Sequence, residues 1–183
     1  QIQALNAIQI GAIETADLRS FTTTQINYLK TAQIQALSVT QVAALTSTSQ
    51  IPSLNSQQIA ALSTDQIGAL STTSIANLKT GQIQALGDKI ATLLPEQFAA
   101  LTSAQIPGLA TSQIVALSVD QVIALTVPQS TALNTAQVRA LTTSQLVSLQ
   151  TANINALDSA QIAAIVSVNI GVLAAEQIGA LKT

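Results

Sequence analysis

Apolar and polar positions alternate along this chain in blocks that repeat every eight residues. The unit is Gln-Ile-x-Ala-Leu-(Ser/Thr)-x-x, with octad positions 1 to 8 in that order, and Gln66-Ile67-Gly68-Ala69-Leu70 following Ser63-Thr64-Asp65 is a clear example. About 23 copies begin between Gln1 and Gln177, so residues 1–183 read as a single array with no linker and no second domain. Two register slips interrupt it. Nine residues separate Leu45 from Leu54, with the extra one near 46–49, and seven separate Leu86 from Leu93, with the loss near 87–89.

A period of eight suits no continuous element. Eight residues of α-helix turn through about 800°, so an Ile/Leu stripe would drift by roughly 80° per octad. Strict alternation fails too, because Ala and Leu at positions 4 and 5 are adjacent. A helix start once per octad does fit. Ser63-Thr64-Asp65-Gln66 is a capping box, in which the hydroxyl accepts from the third helical N–H and the Gln side chain returns to the cap's N–H. Thr22 to Gln25, Ser38 to Gln41, Thr102 to Gln105 and Thr142 to Gln145 repeat it. Leu62 with Ile67, Leu101 with Ile106 and Leu117 with Val122 have the spacing of a hydrophobic staple.

Charge placement agrees. Glu14, Asp65, Glu96, Asp120, Asp158 and Glu176 fall at positions 6 or 8 and Asp17 at position 1, where a helix dipole favours acids. Lys30, Lys79 and Lys182 follow the Leu and are expected to meet the preceding helix's carbonyls, leaving Thr31, Thr80 and Thr183 to take over the cap. Pro95 and Pro128 suit a first helical turn, whereas Pro52 and Pro107 lie at position 3 and are expected to loosen the helix or make it a turn. Gly87 suits a left-handed helix end. Ser130 at an Ile position and the strand-like Val166-Ser167-Val168-Asn169 are irregular.

The expected fold class is all-α: a repeat solenoid of very short capped helices, one per octapeptide, with positions 2, 4 and 5 inward and 3, 7 and 8 outward. A β-solenoid is the alternative, favoured by the Ile/Val/Thr content and low charge. The number of octads per turn is not readable. Position 1 is Gln in 18 of about 23 octads, and two roles are open to it: closing the local capping box, or a ladder of amides linking successive coils.

Composition narrows function by exclusion. With 6 Lys and Arg against 8 Asp and Glu, no basic cluster exists to attract nucleic acid. Polar residues interrupt every apolar run, so no transmembrane segment is expected. There is no Met at position 1 and no basic-then-apolar leader, as in a fragment or processed chain. The chain has no His and no Cys, which removes the commonest metal ligands and most activated nucleophiles. The nearest acid-base groupings, Asp17 with Arg19 and Asp88 with Lys89, read as solvated surface pairs. No catalytic, cofactor-binding or metal-binding residue is expected, no cofactor, and no enzyme activity.

The motif Leu101-Thr102-Ser103-Ala104-Gln105-Ile106, repeated as Leu141-Thr142-Thr143-Ser144-Gln145-Leu146 and through the whole chain, resembles octad tracts of very large secreted bacterial surface proteins of the adhesin or haemagglutinin-like kind. The resemblance implies a stalk or fibre at the cell surface or outside the cell. The expected function is thus a structural repeat forming an extended extracellular rod, stalk or self-assembling fibre, its partners being further copies or other parts of a larger polypeptide. The alternative is a repetitive Thr/Ser surface binding ice or carbohydrate. A scaffold that docks other proteins ranks below both, because aromatic and Arg anchors are scarce.

Overall fold

Each octad folds as one short helix followed by a corner. The structure is a computed structural model that describes residues 2–165 and 167–181. Among these residues it contains twenty α-helices of four to six residues, three 3-10 helices and no strand. The fold is all-α and the β alternative falls. A helix this short cannot persist alone in water, so its boundaries and its burial both come from neighbouring octads.

The corner is made by two extended residues. In the octad of Ser56–Ala61, the N–H of Leu62 bonds to the Ile59 carbonyl and Leu62 then extends at φ −59°, ψ 138°. Ser63 follows at φ −72°, ψ 166° and caps Thr64–Gly68. No left-handed residue is needed. Among the described residues the only positive φ is at Gly87, at 54°. There Leu86 keeps a helical backbone and the chain runs from Thr80–Ala85 directly into the 3-10 turn Gly87–Thr92, which absorbs the missing residue. Gly87→Ala should cost about 1 to 2 kcal/mol, read as a lower midpoint in urea, because an added Cβ opposes the left-handed backbone.

The other slip is absorbed in the cap. Across 46–49 the capping box widens by one residue: the Thr46 N–H reaches Gln50 Oε1 at 2.9 Å, and the Gln50 N–H reaches Thr46 Oγ1 at 3.0 Å. Pro52 sits inside the four-residue helix Gln50–Ser53, and Pro107 reduces its octad to the 3-10 turn Ile106–Gly108. Pro95 and Pro128 lie in first turns as their positions imply. The strand-like stretch is corrected: Ser167–Ile170 is helical, while Val166 lies outside the described residues, as do Lys182 and Thr183.

The helices stack into coils within two compact units, Gln1–Leu93 and Leu94–Thr183, whose division falls within the octad that follows the shortened one. In the first unit, Thr31–Ala36 packs on Ala7–Gly11 and on Ser56–Ala61, each three octads away. In the second, Thr135–Ala140 packs on Thr111–Ala116 and Ser159–Ala164 at the same separation.

The core is two aliphatic rows, Ile or Val at position 2 and Leu at position 5, including Ile59, Leu62, Ile67, Ile114 and Leu141, all 5% exposed or less. The inward set differs from the expected one. Ala at position 4, as in Ala36 and Ala116, is only half-buried, and position 1 is buried in its place. The amide there can be buried because every one of its polar atoms finds a partner.

Candidate functional site

The capping boxes form as the local spacing requires. Ser63 Oγ accepts from the Gln66 N–H at 3.2 Å while Gln66 Oε1 accepts from the Ser63 N–H at 2.8 Å. Ser38 with Gln41 and Thr142 with Gln145 do the same. In the Thr102 octad only half of the box survives: Gln105 Oε1 accepts from the Thr102 N–H at 2.6 Å, but the Gln105 N–H turns to the Thr102 carbonyl. The acids follow the dipole, with Asp158 capping Gln161 at 2.7 Å and Asp65 and Asp120 in first turns.

The lysine octads differ from expectation. Lys30 and Lys79 themselves occupy the cap, where their backbone carbonyls accept from the Gln33 and Gln82 N–H groups at 2.9 Å, and Thr31 and Thr80 are the first helical residues. A carbonyl is available whatever the side chain, so a hydroxyl is not indispensable there.

The buried glutamines also carry the contact between coils. Gln58 Nε2 donates to the Ile26 carbonyl at 2.9 Å and to the Leu29 carbonyl at 2.7 Å, both in the octad four before its own. In the same unit Gln41 reaches Ile10 and Ile13, and Gln66 reaches Ile34 and Leu37. In the second unit Gln137 reaches Ile106 at 2.7 Å and Leu109 at 2.8 Å, and Gln145 reaches Ile114 and Leu117, both at 2.8 Å. Helices stack three octads apart while amides reach four octads back, so one turn takes between three and four octads.

Both roles of the glutamine therefore operate at once. One amide accepts a cap N–H through its oxygen and gives both N–H hydrogens to the corner of the coil before. A primary amide can do this and a carboxylate cannot. The sequence carries a signal for it that the capping argument passes over. A capping box accepts Glu as readily as Gln, yet no octad begins with Glu.

Exceptions at position 1 mark where the lattice changes. Asn153 is one methylene shorter and reaches only the Leu125 carbonyl, at 2.8 Å, while Gln150 in the cap position donates to Ile123. Lys89 is not a surface partner of Asp88: its ammonium donates to the Ala60 and Leu62 carbonyls at 2.6 and 2.7 Å, the corner its octad would serve with a Gln. Asp17 and Arg19 are exposed as expected.

Ser74 is buried, but its hydroxyl meets only Ser71 Oγ, at 3.0 Å. Ser74→Gln should restore both the box to Ser71 and the reach to the Val42 and Leu45 carbonyls. It is expected to raise stability by about 1 kcal/mol, seen as a higher midpoint in urea with unchanged slope. Ser130, at an Ile position, is also buried and turns its hydroxyl back to the Thr126 carbonyl at 3.3 Å.

Among the described residues every buried side-chain polar atom has a partner, and no group of His, Cys, Asp or Glu could hold a metal ion. No helix among them is long and apolar enough to cross a membrane. What the residues do together is join one coil to the next.

Comparison with known families matches this description. Residues 10–47, 47–72, 90–127 and 131–159 each match the ALTTAQ repeat. The stretch between the second and third matches holds Ser74 and the shortened octad at Gly87, and the stretch between the third and fourth holds Ser130, so the interruptions fall on the irregular octads. No curated protein matches the chain. The matched stretches cover more than two thirds of the sequence, and the chain belongs to the ALTTAQ repeat family.

Proposed function

We propose that the protein is a structural repeat: a segment of an extended extracellular rod or stalk, or of a fibre, that holds other parts of a larger polypeptide or further copies at a distance. The observation that carries this reading is the amide lattice. The same three hydrogen bonds recur from one lattice glutamine to the next within each unit, and the groups they use are a backbone N–H and two backbone carbonyls, which do not depend on the side chains around them. Such an array gains stability by adding neighbours rather than by closing a single core. Position 3 and positions 6 to 8 are left at the surface, and few of them are charged, which weakens repulsion between neighbouring rods. Similarity to octad tracts of secreted surface proteins supports the extracellular placement.

Small-angle scattering on the dilute monomer tests the shape. A radius of gyration well above the roughly 16 Å of a globule of this length is expected, and a value near 16 Å would overturn the reading. Protease treatment of intact source cells tests the placement, since an internal protein would survive it.

A further inference from the structure

Three departures from the repeat in the first unit fall on one place. The first is the extra residue across 46–49. Gln50, which follows it, donates to the carbonyls of Leu18, Arg19 and Phe21 at 2.9, 3.3 and 2.8 Å, so the widened cap sits beside the Arg19 octad. The second is Arg19 itself, the only arginine of that unit. It is exposed, and its guanidinium has no hydrogen bond or ion pair among the described residues. Asp17, two residues before it on the same helix, does not face it. The third is Ser74, too short to serve the corner that a position-1 amide would reach. Among the described residues the Val42 carbonyl keeps only the Leu45 N–H, at 3.2 Å, and the Leu45 carbonyl has no hydrogen bond. Where the three meet lies a depression of about 370 Å³, whose lining includes Arg19, Leu45, Thr46, Ser47, Thr48 and Ser71. No acidic and no aromatic residue among those described lines it. Thr46 Oγ1 is engaged with Ser49 Oγ and the Gln50 N–H, at 2.6 and 3.0 Å, whereas the Ser47 and Thr48 hydroxyls make no hydrogen bond among the described residues.

We propose that this depression binds a sugar acid, a ring that carries one carboxylate among its hydroxyls. The carboxylate accepts from the Arg19 guanidinium, whose planar fork matches two oxygens. A ring hydroxyl donates to the Leu45 carbonyl in place of the missing amide. The Ser47 and Thr48 hydroxyls, which both donate and accept, take the neighbouring ring hydroxyls. A neutral sugar leaves the arginine unpaired, and a bare anion has no hydrogen to give the carbonyl. The volume is at the small end of the range for ligand pockets and suits a single ring. This is one site at one irregular corner, and it does not depend on the rod reading.

Nuclear magnetic resonance titration of the nitrogen-labelled 183-residue chain with glucuronate is the test, with methyl glucoside and acetate as comparison ligands. Saturable shifts centred on Arg19 and on residues 45–48 are expected with glucuronate, and binding about tenfold or more weaker with either of the others. Arg19→Gln should weaken glucuronate by about tenfold to a hundredfold, the loss of a charged hydrogen-bonding partner. Ser74→Gln should also weaken it about tenfold or more, because the new amide takes the Leu45 carbonyl. That variant is expected to be the more stable protein, so its loss of binding is not a loss of fold. Absence of saturable binding by glucuronate, acetate binding as tightly as glucuronate, or parent-like binding by either variant would each overturn the proposal.

Discussion

Gln58→Glu, a change of one amide nitrogen to oxygen, is expected to destabilise the first unit by about 3 to 5 kcal/mol at neutral pH. Gln58 is 1% exposed. Its Nε2 donates to the carbonyls of Ile26, Asn27 and Leu29 at 2.9, 3.1 and 2.7 Å, and its Oε1 accepts from the Asn55 N–H at 2.8 Å. In the variant one carboxylate oxygen keeps the cap, but the other faces carbonyl oxygens in a site closed to water.

The loss depends on pH with a definite sign. The charged form is disfavoured by burial and by the carbonyl dipoles, so the folded-state pKa of the introduced Glu rises above its unfolded value of about 4.3. The folded state then binds more protons, and stability falls as pH climbs from the unfolded pKa through the raised folded one. Thermal melts should show a small gap from the parent near pH 4 and a wide one near pH 8. Gln35→Glu, at an exposed position 3, should stay within about 0.5 kcal/mol of the parent. Asn55→Ala, which removes only the side-chain cap, should cost about 1 kcal/mol. Equal melts for Gln58→Glu and Gln35→Glu would show that the amide lattice carries no load.

Phe98→Ala should cost about 3 to 5 kcal/mol and create a cavity in the second unit. Phe98 is 0% exposed and stands where most octads place Ile. It is the largest of the fully buried side chains, and it lies in the octad that opens the second unit. Phe98→Leu keeps most of the volume and should lose less than about 1.5 kcal/mol. Hydrogen exchange localises the effect: protection should drop in the octads stacked on Pro95–Ala99, including Val119–Ile123. A Phe98→Leu variant as unstable as Phe98→Ala would mean that the site depends on the ring and not on the space it fills.

The parts of this fold that could be read from the sequence are those decided within four residues. Ser63 and Gln66, or Thr142 and Gln145, meet across a single turn, so their bonds follow from spacing alone. Gly87 is likewise local, its positive φ foreshadowed by its place at a helix end. The amide bonds join residues about 28 to 32 apart, and that separation exists only after the coil has formed. Octads per turn were hidden for the same reason, because positions 3 and 8 vary without a longer period. Lys89 misled because Asp88 beside it offers an obvious partner, whereas the carbonyls it serves belong to Ala60 and Leu62. The inward set was misjudged at Ala36 and its counterparts because hydrophobicity favours Ala over Gln at a buried position, and only the full satisfaction of the amide reverses that order.

The backward direction of these bonds bears on how the chain is made. When Gln66 leaves the ribosome, the Ile34 and Leu37 carbonyls it binds have already been synthesised, and the same holds for each lattice glutamine described above. A nascent chain can thus dock each new octad on finished structure without waiting for anything downstream, and stalled chains of increasing length should gain protease resistance in small, regular increments. Vectorial synthesis and the polarity of one side chain point the same way.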